Sequence, residues 1–419
     1  MSSAAGAHRG SPAVGRDPEA GAAKVSAALR RVDAHPGIVA LLLGLAGFLL
    51  AGSWTDAPAD LTLFANAGGA LIRGDLTGTF ADPAVQTGPV TALFMFLLRG
   101  ATGWTGPVAA PAQVLVLCLI NAGCLVTALR VSLTRSGSVR AAALLVVGLL
   151  AVAFGALSTT DAHPTHAVIA LLWFLAVRAA RRCRPEVVGL LIGVACGLDT
   201  WGVLGAGAML ALPSVRAVAR SVIVAALAAG AFWLPFLAAG GAHSFQMQWT
   251  SVPDSVPSLF FGATPVPWSY RLAQGLVCLL AGAAVAWWLR RSDDAAWVLP
   301  VVVVAVRILL DPVWFEYYGV PVTLMLLVGA ATVAIRASTY PRSWAEVTAA
   351  VQGAVRHPAV VVSSPVTWLS LALLLPPVTT LLGRPFAAFG PSVVCLVVLT
   401  VALRRRAAEL DPHRPGGHA

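Results

Sequence analysis

Residues 37–75 read "GIVALLLGLAGFLLAGSWTDAPADLTLFANAGGALIRGD", and this stretch decides the class of fold. From Gly37 to Ser53 no residue is charged. About 20 such apolar residues cross the hydrocarbon core of a bilayer, and slightly fewer suffice for a short span. The run stops at Trp54, an aromatic of the kind that sits at a membrane–water boundary. Asp56 and Asp60 follow at once, and then a second apolar pattern begins. Asp60 is a good helix N-cap, and Leu61, Phe64, Ala65 and Leu71 would share one face of the helix that follows. The expectation is an amphipathic helix lying on the bilayer, with Asp60 at headgroup level. A carboxylate there can take a proton from an acceptor hydroxyl.

The same pattern recurs along the 419 residues. Candidate spans are 37–54, 108–129, 141–158, 217–238, 271–289, 317–335, 359–382 and 386–403, with shorter ones at 166–178, 186–199, 201–213 and 296–311. The segment 186–213 is either one long span or a hairpin. The chain is therefore read as all-α, a polytopic helical membrane protein of about twelve spans (10–13). The composition agrees: 58% of residues are hydrophobic, only 11% are charged and the mean hydropathy is +0.82, against about 25% charged in soluble chains.

The net charge of +10 comes from arginine, with Lys24 the one lysine. These arginines form no single patch, which excludes nucleic acid as a partner. They sit in short clusters between apolar runs, from Arg30 and Arg31 to Arg404–Arg406, and such clusters mark cytoplasmic loops. They place both termini in the cytoplasm of a cell whose plasma membrane holds the chain. Segment 89–101 would invert every later cluster if it crossed, so a re-entrant or interfacial helix is expected there. The resulting organisation is a cytoplasmic tail (1–36), a transmembrane core (37–336) with an outer loop 55–107, a cytoplasmic interfacial segment (337–357), a C-terminal hairpin (358–403) and a cytoplasmic tail (404–419).

No phosphate-binding glycine loop of either common type occurs. The six cysteines form no CxxC pair and read as small core residues. His163 and His166 are three apart but lack a further ligand, so no metal and no other cofactor is assigned.

Acidic and histidine side chains crowd the outer side of this topology. Asp161, His163 and His166 lie in "TTDAHPTHAV" (159–168), a tight turn broken by Pro164, and suit a phosphate or a sugar. Asp199 lies in "GLDTWG" (197–202), where an acid at membrane depth is a functional candidate. In "VRILLDPVWFEYY" (306–318), Arg307 and Asp311 are four apart, share a helical face and can pair. Arg307 also suits phosphate geometry. Glu316, Tyr317 and Tyr318 close that segment.

The order of these features resembles the polyprenol-phosphate-mannose-dependent glycosyltransferases of the GT-C fold, closest to the actinobacterial alpha-mannosyltransferase branch. The resemblance runs through "DLTLFANAGGALIRGDLTGTF" (60–80), "GPVTALFMFLL" (88–98), "DAHPTHAVIALLWFLAVRAARR" (161–182), "GLLIGVACGLDTWGVLGAGAMLAL" (189–212) and "DPVWFEYYGVPVTLMLL" (311–327). It covers about residues 37–336. It implies that Asp60 is the catalytic base, and that Arg307, Asp161, His163 and His166 hold the donor's phosphate or sugar. Asp56, Asp199, Asp311, Glu316, Tyr317 and Tyr318 would support the acceptor or those groups. It further implies a polyprenyl-phosphate-sugar donor, a glycan or glycolipid acceptor, and lipid around the helices. Two departures are visible: "VQTGP" (85–89) has no tyrosine before its proline, and Asp199 stands where the family often has a basic residue. A flippase of lipid-linked precursors and a catalytically inactive relative are the alternatives. The glycosyltransferase reading requires Asp60, His163 and Arg307 to line one cavity.

Overall fold

The structure is a computed structural model, and it describes residues 27–28, 30–51, 60–103, 108–133, 144, 148, 163–253, 255–313 and 315–337. Asp56, Asp161, all of the segment 337–357 after Ala337 and the C-terminal hairpin lie outside the described residues, as does the side chain of Glu316. Among the described residues the chain is helical, and no strand forms beyond two isolated bridges.

The helices are α1 (Pro36–Ala51), α2 (Leu61–Ile72), α3 (Leu76–Thr79), α4 (Pro89–Thr102), α5 (Ala109–Ser132), α6 (Thr165–Arg181), α7 (Pro185–Leu198), α8 (Val215–Ala238), α9 (Ser258–Phe261), α10 (Trp268–Trp288), α11 (Ala295–Leu310) and α12 (Val320–Ala337). Three 3-10 helices join them at Thr200–Ala211, His243–Gln246 and Glu316–Gly319. Helices α5, α8 and α10 are each long and apolar enough to cross a membrane. Their uncovered faces fit that setting: Val222, Ile223, Leu227 and Leu234 on α8, and Leu272, Leu276 and Leu280 on α10, are exposed. Soluble helices turn such residues inward.

Glycine spacing sets a close helix contact. Gly189, Gly193 and Gly197 recur every fourth residue on α7 and form a flat stripe. A Cβ at Gly189 would meet the Ser221 carbonyl, one at Gly193 the Ala228 side chain, and one at Gly197 the Phe232 ring. Backbones approach this closely only through small residues. The indole of Trp233 then donates to the Cys196 carbonyl at 2.8 Å and ties α8 to the end of α7.

Residues 186–213 form a hairpin. Its return arm is a twelve-residue 3-10 helix, Thr200–Ala211. Runs of this length are uncommon, and the sequence explains this one. A three-residue repeat places Gly202, Gly205, Ala208 and Ala211 in one row, and all four are buried. Gly202 abuts the Ala195 carbonyl and Gly205 abuts Trp173; the Trp173 indole donates to the Gly202 carbonyl at 2.9 Å. An α-helix would rotate that row away from its neighbours.

Helix α2 corrects one expectation. Leu61, Phe64 and Ala65 are buried, but α4 covers them, not lipid. Gly68 lies so close to α4 that a Cβ would strike the Ala92 carbonyl. Leu71 is only half-buried. Helix α4 is itself short, about 21 Å at the helical rise, and begins with Pro89 in the first turn.

Candidate functional site

Asp60 sits at the N-cap position of α2, yet its side chain makes no cap hydrogen bond. The His163 Nε2 is 2.8 Å from Asp60 Oδ2 instead. Capping by the side chain, expected from the residue type, gives way to a partner 103 positions away. The imidazole orients the carboxylate, and the edge of Phe64 supports the imidazole at 5.4 Å. The Asp60 side chain stays 41% exposed while that of His163 is 11% exposed, so a buried ring holds an accessible carboxylate. This differs from the expected placing of His163 among the phosphate ligands.

A set of stacked rings follows. Tyr317 lies flat on His163, with centroids 4.1 Å apart and planes 9° apart. Tyr318 stacks on His166 at 5.6 Å, and Trp201 leans on His166 at 4.9 Å. The Arg307 guanidinium lies over Trp201 at 4.7 Å and over Tyr318 at 4.4 Å. Cation–π contacts of this kind gain strength where water is excluded. The His163 and His166 rings are nearly perpendicular to one another, and among the described residues no set of three metal-ligating side chains comes together.

Behind the rings Asp311 organises two arginines. Arg307 Nε is 3.7 Å from its Oδ2, the expected pairing at four residues, and Arg271 Nη1 is 3.3 Å from its Oδ1. The Gln274 amide also donates to Asp311 and to the Arg307 carbonyl. Asp311 is buried, so it aims both cations and leaves the open space to others.

Asp199 lies at the tip of the hairpin, outside both helical arms. The tip is buried. The Leu198 carbonyl just before it accepts from Gly88 N, Thr87 Oγ1 and Thr91 Oγ1. A Cβ at Gly88 would strike the Gly197 carbonyl, so this strand of loop packs directly on the end of α7. Burial raises the Asp199 carboxyl to about 6, with Arg307 and His163 opposing the rise.

Asp60, His163, His166, Asp199, Arg307, Tyr317 and Tyr318 all line one cavity of about 480 Å³, within the usual range for a ligand site of roughly 300–1,000 Å³. Among the described residues its charged lining balances: two carboxylates, Asp60 and Asp199, against two arginines, Arg271 and Arg307. Among the described residues that line it, three buried polar atoms have no hydrogen-bond partner: Arg307 Nη1, His166 Nδ1 and Trp201 Nε1. Such atoms are costly to leave unmatched; Arg307 Nη1 and Trp201 Nε1 are N–H donors that a ligand oxygen would match, and His166 Nδ1 joins them in the tautomer that carries its proton there. Asp311 stands behind this wall.

Sequence reasoning missed Trp201, Arg271 and Gln274. Arg271 carried a signal: it is an arginine at the end of a span where the charge pattern puts none. Trp201 carried none, because tryptophan beside a glycine-rich apolar run reads as packing. No family model matches this chain, and neither does any curated protein or solved structure.

Proposed function

We propose that this protein is an integral membrane glycosyltransferase of the GT-C type. It moves a sugar, mannose on the resemblance of its motifs, from a polyprenyl-phosphate donor to a glycan or glycolipid acceptor. The reading includes about twelve spans, both termini in the cytoplasm and a site facing the outer side of the plasma membrane. The observation that carries it is the convergence of Asp60, His163 and Arg307 on one cavity.

Each group then has a task. The Asp60 carboxylate takes the proton of the acceptor hydroxyl as that oxygen bonds to the anomeric carbon. The bond from that carbon to the phosphate oxygen breaks, and the polyprenyl phosphate leaves with the electron pair. Arg307, aimed by Asp311, meets the charge that develops on the phosphate, while Trp201 and His166 supply further hydrogen bonds. His163 keeps Asp60 in position. The Asp199 carboxylate accepts hydrogen bonds from hydroxyls of the transferred sugar. A positioned general base is worth about 10²–10⁴ in rate, and preorganised donors at the leaving group add to it. The aliphatic flank of the cavity, Val203 and Leu272, is exposed and suits the lipid chain.

The test is transfer by purified protein in lipid, given polyprenyl-phosphate-mannose and a panel of mannoside acceptors. Labelled mannose should pass to an acceptor, and Asp60→Asn should abolish it with the protein still folded. Absence of transfer from several lipid-phosphate sugars would overturn the reading and favour the flippase or inactive alternatives.

A further inference from the structure

The cavity has an aromatic flank that the transfer step does not use. Phe315 stacks on Tyr317 at 5.3 Å with planes 9° apart, and Tyr317 stacks on His163 in the same sense. Three near-parallel rings therefore lead from Phe315 to the histidine that holds Asp60. Phe315 is the exposed end of this stack. Trp249 stands against it at 6.3 Å and 73°, which makes a right-angled corner on the cavity wall. The corner is held in place: Ser244 Oγ donates to the Val85 carbonyl, Gln86 Nε2 donates to the Ser244 carbonyl, and Val266 N donates to the Trp249 carbonyl.

Charge and shape select the occupant. Among the described residues the charged side chains on the cavity wall are Asp60, Asp199, Arg271 and Arg307, and none of them makes up the corner, whose described walls are aromatic. The face of an aromatic ring is electron-rich and its edge electron-poor. The C–H groups on the flat side of a pyranose carry partial positive charge and pack on such a face, while its equatorial hydroxyls reach sideways to backbone carbonyls. A lipid chain gains nothing from the corner that the aliphatic flank does not already offer. Two rings, Tyr317 and His163, stand between Phe315 and the base, so the corner and the base are separate positions on one cavity wall.

We infer that the Phe315–Trp249 corner is a saccharide subsite, and that it holds the acceptor's sugar unit next to the one attacked at Asp60. The acceptor role rests on the glycosyltransferase reading; the binding of a saccharide does not. The protein therefore prefers oligosaccharide acceptors over single sugars.

The experiment uses the full chain in lipid and two readouts. Calorimetric titration with mannose, mannobiose and mannotriose reports binding without transfer, and initial rates report the acceptor KM. Stacking of this kind is worth about 0.5–1.5 kcal/mol, so on the order of tenfold at most. Mannotriose should bind several-fold tighter than mannose. Phe315→Ala and Trp249→Ala should erase that difference and raise the mannotriose KM more than they lower kcat, and Phe315→Tyr should restore it. Transfer with equal affinity for one and three sugars, or with a KM that neither variant moves, overturns the subsite and leaves the glycosyltransferase reading standing. Length-dependent binding lost in the variants, with no transfer from any donor, upholds the saccharide site and removes the glycosyltransferase reading.

Discussion

Helix α6 carries cationic or titratable side chains at both ends, and the two ends use them differently. At its C-terminal end Arg178 and Arg181 reach Asp293 at 3.5 and 3.0 Å, and Arg178 also donates to the Val131 carbonyl. Cations there complement the helix dipole. The Asp293 side chain is 43% exposed, so water shares it and the pairs contribute about 0–1 kcal/mol. At the other end His163 and His166 meet Asp60, Tyr317 and Arg307, and the carboxylate behind them, Asp311, is only 1% exposed. Among the described residues one buried nitrogen at the far end lacks a partner, Arg181 Nη1, and three at the cavity end lack one, on Arg307, His166 and Trp201. Under the proposed function the donor's phosphate oxygens would match the N–H groups among them.

The sharpest way to break this comparison is to neutralise one carboxylate at each end. Asp60→Asn should lower the transfer rate by about 10²–10⁴-fold, read as initial rate with saturating donor. An active Asp60→Asn protein would make the two ends alike. Next in size is Arg307→Lys, which keeps the charge but loses the planar fork. The donor kcat/KM should fall by about 10–100-fold from the loss of charge-assisted hydrogen bonds, and an unchanged value would remove Arg307 from the donor site.

Asp199 sharpens the comparison through pH. Its folded carboxyl titrates near 6, above the ordinary 3.8, so the folded state holds this proton more tightly than the unfolded one. Its contribution to stability is complete below about pH 4 and is lost as pH rises through 6. Asp199→Asn should flatten that dependence and raise the thermal midpoint at pH 7.5 relative to wild type, on the order of 5 °C. A midpoint that keeps the wild-type pH profile would show that another group is responsible. The smallest effect is expected from Asp293→Asn at the far end: a stability loss of about 0–1 kcal/mol, reduced further by salt, with the transfer rate within twofold of wild type.

Much of the fold was legible because the solvent dictates it. Apolar runs that must meet lipid or a dry core are visible as runs, and the helices Pro36–Ala51, Ala109–Ser132, Val215–Ala238 and Trp268–Trp288 fall where the runs are. The Arg307–Asp311 pair was legible because four-residue spacing on a helix is a local fact. The face of α2 was read correctly as apolar and wrongly as lipid-facing, since lipid and protein interiors select the same residues. The Thr200–Ala211 helix was hidden for a related reason: in a uniformly apolar stretch, a period of three differs from one of 3.6 only in which small residue faces which neighbour. The hairpin and its buried tip at Asp199 follow from that packing.

By itself the sequence determined a helical, membrane-suited chain with its acidic and histidine side chains gathered between apolar runs, because hydropathy and local spacing act over a few residues. The tertiary structure alone decided that Asp60 turns from its own helix to His163, that Tyr317 and Tyr318 pave the space between His163 and Arg307, and that Asp199 is drawn inside. The Asp60–His163 and His163–Tyr317 contacts join positions more than a hundred residues apart. Their partners are chosen by how whole helices pack, through glycine stripes and ring stacks, and no local preference specifies that choice.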